Sequence, residues 1–577
     1  MKKNFILPMT MIGLILGVAG CGPTASSELP LESVKLEEKV VPFTNLSTFI
    51  PLTKTEAKLY FKEGSILPLI TMDEFLSCLD GFIKSDIVDK KILNNTAKYY
   101  YYSNDKLYTM EFDAKNETIK QNSALFFSVY GTTESDLYEL HHDAGLMVDV
   151  KGSRDSEVLY DLKPYNYDII IQDNEVYVPY EILNMIGINQ GESHLIYNQK
   201  ELYFLNSYLA DDETIYQISN KELHGTVIPD EMIEARYNQF CFMLDKMYGL
   251  RTVFNGKTAD EFIKEDKEIY NKLHSKNNNV YERGLIDFLL KKLDDPHTSL
   301  GYRNFYSEIT TKKDIKIPKK FPSDYGSRYV DIINSLRALS KQYQALNIPN
   351  NIANSYGHTG FIKFDSFDLE TKDYLYDEDG NPKPHAHLHD SFLYVKRGIE
   401  ILTKDPKIRN IVLDLSCNTG GYIDMAIAIM GLLTNDDIDQ PYHNMINDQQ
   451  YYNSYRVDAD LDGDYNDDDA FTGFNYYILT SPASFSSSLS LSGMAHDMGV
   501  AKIIGQKSGG GMCSVGSIML VDGTSFKFSS NFTSPGMKSS ENGDKELYIN
   551  EYGLEPDIEI PTEKFYDFKF IDELLTK

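Results

Sequence analysis

The 577-residue sequence contains no tryptophan and only five cysteines, and it is short of positive charge: 56 Lys and Arg stand against 86 Asp and Glu, a formal net charge of −30. Each shortage excludes something. A surface this acidic repels nucleic-acid phosphate and anionic lipid, so no nucleic acid is expected as a partner. Cys78, Cys241, Cys417 and Cys513 lie far apart with no C-x-x-C spacing. Two disulfides are allowed, and buried free thiols are the simpler expectation. Beyond the leader no segment is apolar over the ~18 residues that a membrane span needs. Gly (37) and Pro (21) are too few, and hydrophobic residues at 42% too many, for a collagenous or disordered chain. At ~150 residues per domain, three or four domains are expected.

What is present begins with an export signal. Lys2 and Lys3 precede an apolar stretch from Phe5 to Val18, which ends in Val18-Ala19-Gly20-Cys21. That ending resembles the bacterial lipobox, whose cysteine is diacylated; an ordinary secretory signal with an incidental cysteine is the alternative. The reading is a signal peptide over 1–20, a polar tether over 21–42, and a protein held at the extracytoplasmic face of the cell membrane through a lipid on Cys21 alone. Residues 43–222 form a β-rich accessory domain. Two stretches inside it, Leu59–Leu69 and Ile171–Tyr180, each read as strand, tight turn, strand, Pro and short helix. They resemble the small module named after copper amine oxidase N-termini, with a plain β-rich domain as the alternative.

From Pro229 the hydrophobic period becomes helical through Ile233, Tyr237, Phe240, Leu244 and Met247, with Asp230 at the N-cap position. A later helix carrying Leu285, Leu289 and Leu293 must stop near Asp294-Asp295-Pro296, because a residue before proline is pushed out of helical geometry. These define a small helical domain over 223–300, followed by a helical connection over 301–352. From 353 to 577 strands and helices alternate, an α/β pattern.

Three runs in that last segment carry chemistry. Ile411–Gly421 is a buried strand opening into a Gly420-Gly421 turn, where backbone amides can approach a ligand. Tyr477–Ser488 is a strand running into a turn loaded with hydroxyls, more of them than helix capping requires. Asn550–Ile558 holds a terminal G-x-x-P-D. At these runs the sequence resembles the C-terminal-processing (tail-specific) serine protease family, which includes the tricorn protease core and interphotoreceptor retinoid-binding protein. The family pattern stands here as Leu413–Gly421, Leu479–Ser488, Gly505–Gly511 and Gly553–Asp557, covering about residues 355–562. The resemblance implies a crotonase/ClpP-like core of ββα units and a serine endopeptidase that needs no cofactor for catalysis and acts on protein or peptide.

Carried over residue by residue, the resemblance makes Ser486 the nucleophile, with Ser484 the runner-up. The amide of Ser487 and that of Gly420 or Gly421 would form the oxyanion hole. Tail-specific members place a lysine base where this sequence has Gly511, and Lys507 lies four residues earlier on a Gly-rich turn. The tricorn-like branch instead uses a histidine after the helical domain, which His297 matches. That branch adds a glutamate, for which Glu551 is the candidate, and a serine before the histidine. Pro296 occupies that place, leaving Thr298 or Ser299 to serve. No PDZ domain fits within 301–352. A non-catalytic peptide- or ligand-binding protein on the same fold is the alternative function.

Two metal candidates remain. Asp458, Asp460, Asp462, Asp464 and Asp469 follow D-x-D-x-D-G with a twelfth-position acid, a spacing suited to a structural Ca²⁺. A solvated acidic loop is the alternative. His385, His387 and His389 alternate and would share one face of a strand, as zinc ligands could. Their Pro- and Asn-rich setting favours a loop without metal.

Overall fold

The computed structural model describes residues 33–577 apart from 48–49, 104, 124–125, 128–144, 153–155, 189–192, 207–210, 319, 347, 349–350, 371, 378–381, 466–467 and 540–544. The export signal and Cys21 therefore lie outside the described residues.

The two look-alike stretches form matching units. Glu56–Lys62 and Pro68–Thr71 lead into helix Met72–Cys78, and Ile170–Gln172 and Glu175–Pro179 lead into helix Tyr180–Leu183. Their second strands pair antiparallel, Val178 opposite Ile70, so the units meet inside one seven-stranded sheet. A five-stranded antiparallel meander from Asp89 to Asp161 covers part of the same region.

A strand pairing crosses the boundary expected at residue 222. Strand Gly145–Gly152 pairs with Gln449–Val457, which belongs to the C-terminal part of the chain. Helix Asp230–Lys246 is capped by Pro229 rather than Asp230, which is instead its first residue and still lies where a carboxylate suits the helix dipole. Helix Asn278–Leu285 continues as a wide turn through Lys292, and Asp294 then turns the chain out with a positive φ of 48° ahead of Pro296. Among the described residues of the connection over 301–352, only Ser327–Ala345 is a long helix.

The core is a six-stranded sheet in the order Asn354–Tyr356, Thr359–Lys363, Asn410–Asp414, Asn475–Thr480, Ala501–Gly505 and Ile558–Glu559. All its pairings after the first hairpin are parallel. Asn410–Asp414 is buried along its whole length, as a central parallel strand must be. A second sheet joins Ser299–Leu300, Ser525–Thr533, Ile438–Asn444, Gln449–Val457 and Gly145–Gly152, with Cys513–Met519 also on Ser525–Thr533. The fold is thus an α/β core behind a helical segment and a β-rich N-terminal region. Cys78, Cys241, Cys417 and Cys513 are buried free thiols, and burial raises the pKa of each. Among the described residues no helix is long and apolar enough to cross a membrane.

Candidate active site

The Gly-Gly turn and the hydroxyl-rich turn follow neighbouring parallel strands, so both emerge at the same sheet edge. The serines bind them together. Ser481 Oγ donates to Ser416 O at 2.6 Å, Ser484 Oγ to Leu415 O at 2.7 Å, and Ser487 Oγ to Gly421 O at 2.6 Å. Ser488 Oγ lies 2.8 Å from both Asn418 O and Asn418 Oδ1. This accounts for the surplus of hydroxyls: Ser484 is fully buried and builds the turn. Among the described residues the Ser486 side chain makes no such bond. It sits at the head of helix Ser487–Asp497 with φ 59° and ψ −122°, a conformation costing of order 1–3 kcal/mol in a residue with a side chain. The backbone is held there by Ser486 N donating to Gly510 O at 2.8 Å.

Gly420 passes directly over that serine. A Cβ on Gly420 would come 2.7 Å from Ser486 Cβ, and its φ of 107° excludes most other residues. Its amide donates to Asn418 Oδ1 at 2.9 Å. The Gly420 amide is thus engaged with Asn418, while Ser487 begins the helix at its positive end.

His297 arrives from the other sheet. Strand Ser299–Leu300 pairs with Lys527 and Phe526, and this register sets His297 beside Ser529. His297 Nδ1 lies 3.2 Å from Ser529 Oγ, which donates to Asp295 Oδ1 at 2.9 Å. Asp295 is buried and also accepts from Thr298 Oγ1, His297 N and Ser529 N. An ionised carboxylate can only accept, so it takes the single Ser529 proton. The Ser529 oxygen is then left to accept from Nδ1–H, and Nε2 carries a free lone pair. Nε2 is buried and has no partner among the described residues. The ring packs on Phe485, the residue before Ser486, with centroids 4.6 Å apart. Burial pushes the His297 pKa below its ordinary value; Asp295 opposes this and Arg328 adds to it.

Ser529 is the residue that sequence reasoning missed. Thr298 is turned to Asp295, and Ser299 enters the strand pairing. Glu551 lies in the same neighbourhood, within electrostatic reach of Asp295. Its carboxylate accepts from Arg328 at 2.7 Å and from the Met512 amide at 2.9 Å, and no contact with His297 is recorded among the described residues. Glu551 is 2% exposed and its carbonyl accepts from Gly511 N, which braces the glycine turn. The empty lysine position has a steric reason. A Cβ on Gly511 would come 2.5 Å from the Phe485 ring, which fills the space such a side chain would need. Lys507 points away, paired with Glu555.

Residues 359–560 match the model of peptidase family S41. This stretch of the chain is similar to that family. Among solved structures, the photosystem II D1 C-terminal processing protease is 16% identical, with 36% of this chain and 43% of that one covered and a TM-score of 0.25. A lipoprotein from Streptococcus agalactiae is 13% identical over 60% of this chain and 99% of that one, at TM-score 0.34. Mature CPAF is 13% identical over 60% and 96%, at 0.37. No curated protein matches the sequence. His297 and Ser529 fall outside and inside the S41 match respectively, so the pair spans its boundary.

The metal candidates divide. Carboxylate oxygens of Asp458, Asp460 and Asp462 lie within 4.8 Å of one another. Asp469 accepts from Asp460 N at 2.8 Å, and Asp464 N donates to Asp462 Oδ1 at 2.9 Å. The three histidines do not share a strand face: Ala386–Leu388 is a single helical turn, and His389 packs on Tyr374.

Proposed function

We propose that the protein is an extracytoplasmic serine endopeptidase with Ser486 as nucleophile and His297 as general base. The observation that carries this reading is the buried, unpartnered Nε2 of His297, on a ring packed against the residue preceding Ser486. Ser486 Oγ attacks the peptide carbonyl carbon while Nε2 takes its proton. The amides of Gly421 and Ser487 hold the oxyanion. Collapse of the tetrahedral species breaks the C–N bond, and the imidazolium returns its proton to the leaving amine. Water, deprotonated by the same nitrogen, then releases the acyl group and restores Ser486. A fluorophosphonate probe tests the assignment: labelling is expected on Ser486 and is lost in Ser486→Ala and His297→Ala. An unlabelled parent chain would favour the non-catalytic binder instead.

The proposal places the enzyme on the outer face of the membrane through a diacylated Cys21. Incorporation of labelled palmitate, abolished in Cys21→Ala, is the expected result; incorporation that persists in that variant would refute the anchor. Asp458, Asp460 and Asp462 would supply carboxylate oxygens to a structural Ca²⁺, and the proximity of those oxygens supports the fit.

A further inference from the structure

We propose that a cavity of about 210 Å³ beside the nucleophile helix receives the side chain of the substrate residue whose carbonyl is attacked, and that Gly493 and Asn550 decide which side chains enter. This rests on the peptidase reading above. The cavity lies between helix Ser487–Asp497 and the strand pair Gly536–Ser539 and Lys545–Tyr548. Leu489, Gly493 and Asp497 recur every four residues and so form one stripe of that helix, beginning a single turn after Ser486. The opposite wall ends at Asn550, next to Glu551. Glu551 O accepts from Gly511 N, and Gly510 O accepts from Ser486 N, so the segment carrying Asn550 is tied to the nucleophile's backbone through the same glycine pair.

The chemistry of the walls selects the occupant. Leu489, Met494 and Pro441 give an apolar shaft. The carboxylates on the walls are already engaged: Asp437 with Arg456, Asp439 with Lys545, and Asp497 with the Tyr548 hydroxyl and the Met537 amide. Lys538 lies over the Tyr548 ring at the rim. Asn550 differs from all of these. It is 5% exposed, and its Oδ1 is buried with no partner among the described residues. Its Nδ2 lies 3.7 Å from where a Cβ on Gly493 would stand. A neutral carboxamide whose Oδ1 lacks a partner among the described residues, at the end of an apolar shaft, calls for a large uncharged side chain, with a hydrogen-bond donor at its tip preferred. Glutamine is the best fit, with methionine and leucine following.

Two variants separate size from hydrogen bonding. At Gly493 a Cβ meets nothing closer than 3.7 Å, and leucine is a better helix former than glycine, so Gly493→Leu fills the cavity without disturbing the helix. Asn550→Leu keeps the bulk and removes the polar atoms. The full chain and both variants are given a proteome-derived peptide library, and cleavage sites are read by mass spectrometry alongside fluorophosphonate labelling of Ser486. The parent is expected to cut after glutamine, methionine and leucine. Gly493→Leu should shift the preference about tenfold toward glycine, alanine and serine, and Asn550→Leu should lower glutamine against leucine by about tenfold. Profiles unchanged in both variants, with Ser486 still labelled, would overturn the proposal and leave the peptidase reading standing. A parent chain that neither labels nor cuts would remove both.

Discussion

At the scale of single residues, the imidazole is the informative group. A base acts in its neutral form, and His297 has its pKa lowered by burial, so it stays neutral to lower pH than an ordinary histidine. The acid limb of kcat/KM should therefore fall below pH ~6.5, the ordinary histidine value, with activity lost only as pH drops through the depressed pKa. A limb at or above that value in a pH–rate profile would contradict the assignment. Ser529→Ala should reduce kcat by about tenfold, the worth of one hydrogen bond of ~1.4 kcal/mol that fixes the tautomer. His297→Ala should cost ~10²–10⁴-fold, the range for general-base catalysis. Equal losses in the two variants would mean that Ser529 does more than orient the ring. Nothing near His297 in the sequence points to Ser529, because the two are 232 positions apart and meet only through strand pairing.

At the scale of elements, the two turns on neighbouring parallel strands were legible because a strand, a glycine pair and a hydroxyl-rich helix start are local patterns. Their mutual attachment through Ser481, Ser484, Ser487 and Ser488 was not, since those bonds cross between strands. The three alternating histidines were read as a loop from their Pro- and Asn-rich setting, and they lie on a helical turn: period-2 spacing means one face only in extended backbone. Of the five acidic residues of the loop, Asp458, Asp460 and Asp462 stand close together. If the loop binds Ca²⁺, saturation at 100-fold over Kd should stabilise the fold by ~2.7 kcal/mol, raising Tm in calcium and not in chelator. Asp460→Asn should abolish that difference. An identical Tm in calcium and chelator for the parent chain would leave a solvated acidic loop.

At the scale of the whole molecule, the regions read as separate domains are joined through buried groups. Arg236 on helix Asp230–Lys246 pairs with Asp522 beyond strand Cys513–Met519, at 1% and 0% side-chain exposure. Removing the cation would leave Asp522 buried and unpaired, so Arg236→Met should cost ~3–5 kcal/mol, read as a lower denaturant midpoint. Strand Gly145–Gly152 completes the sheet that holds Ser529, and Gly249 N donates to Ser529 O at 3.0 Å. A chain beginning at residue 223 would expose the edge of Gln449–Val457 and should aggregate in size-exclusion chromatography. A soluble, labelling-competent monomer of that chain would show the N-terminal region to be dispensable.

The family resemblance singled out Ser486 among the serines of its turn, while the sequence by itself determined the order of the elements and the identity of the two turns. These depend on local backbone preferences and on hydrophobic periods that run along the chain. Only the tertiary structure decided that Ser529 and Asp295 orient His297, that Glu551 braces a turn, and that Phe485 fills the lysine position. Those outcomes follow from sheet register and close packing between segments far apart in the chain, which residue spacing does not encode.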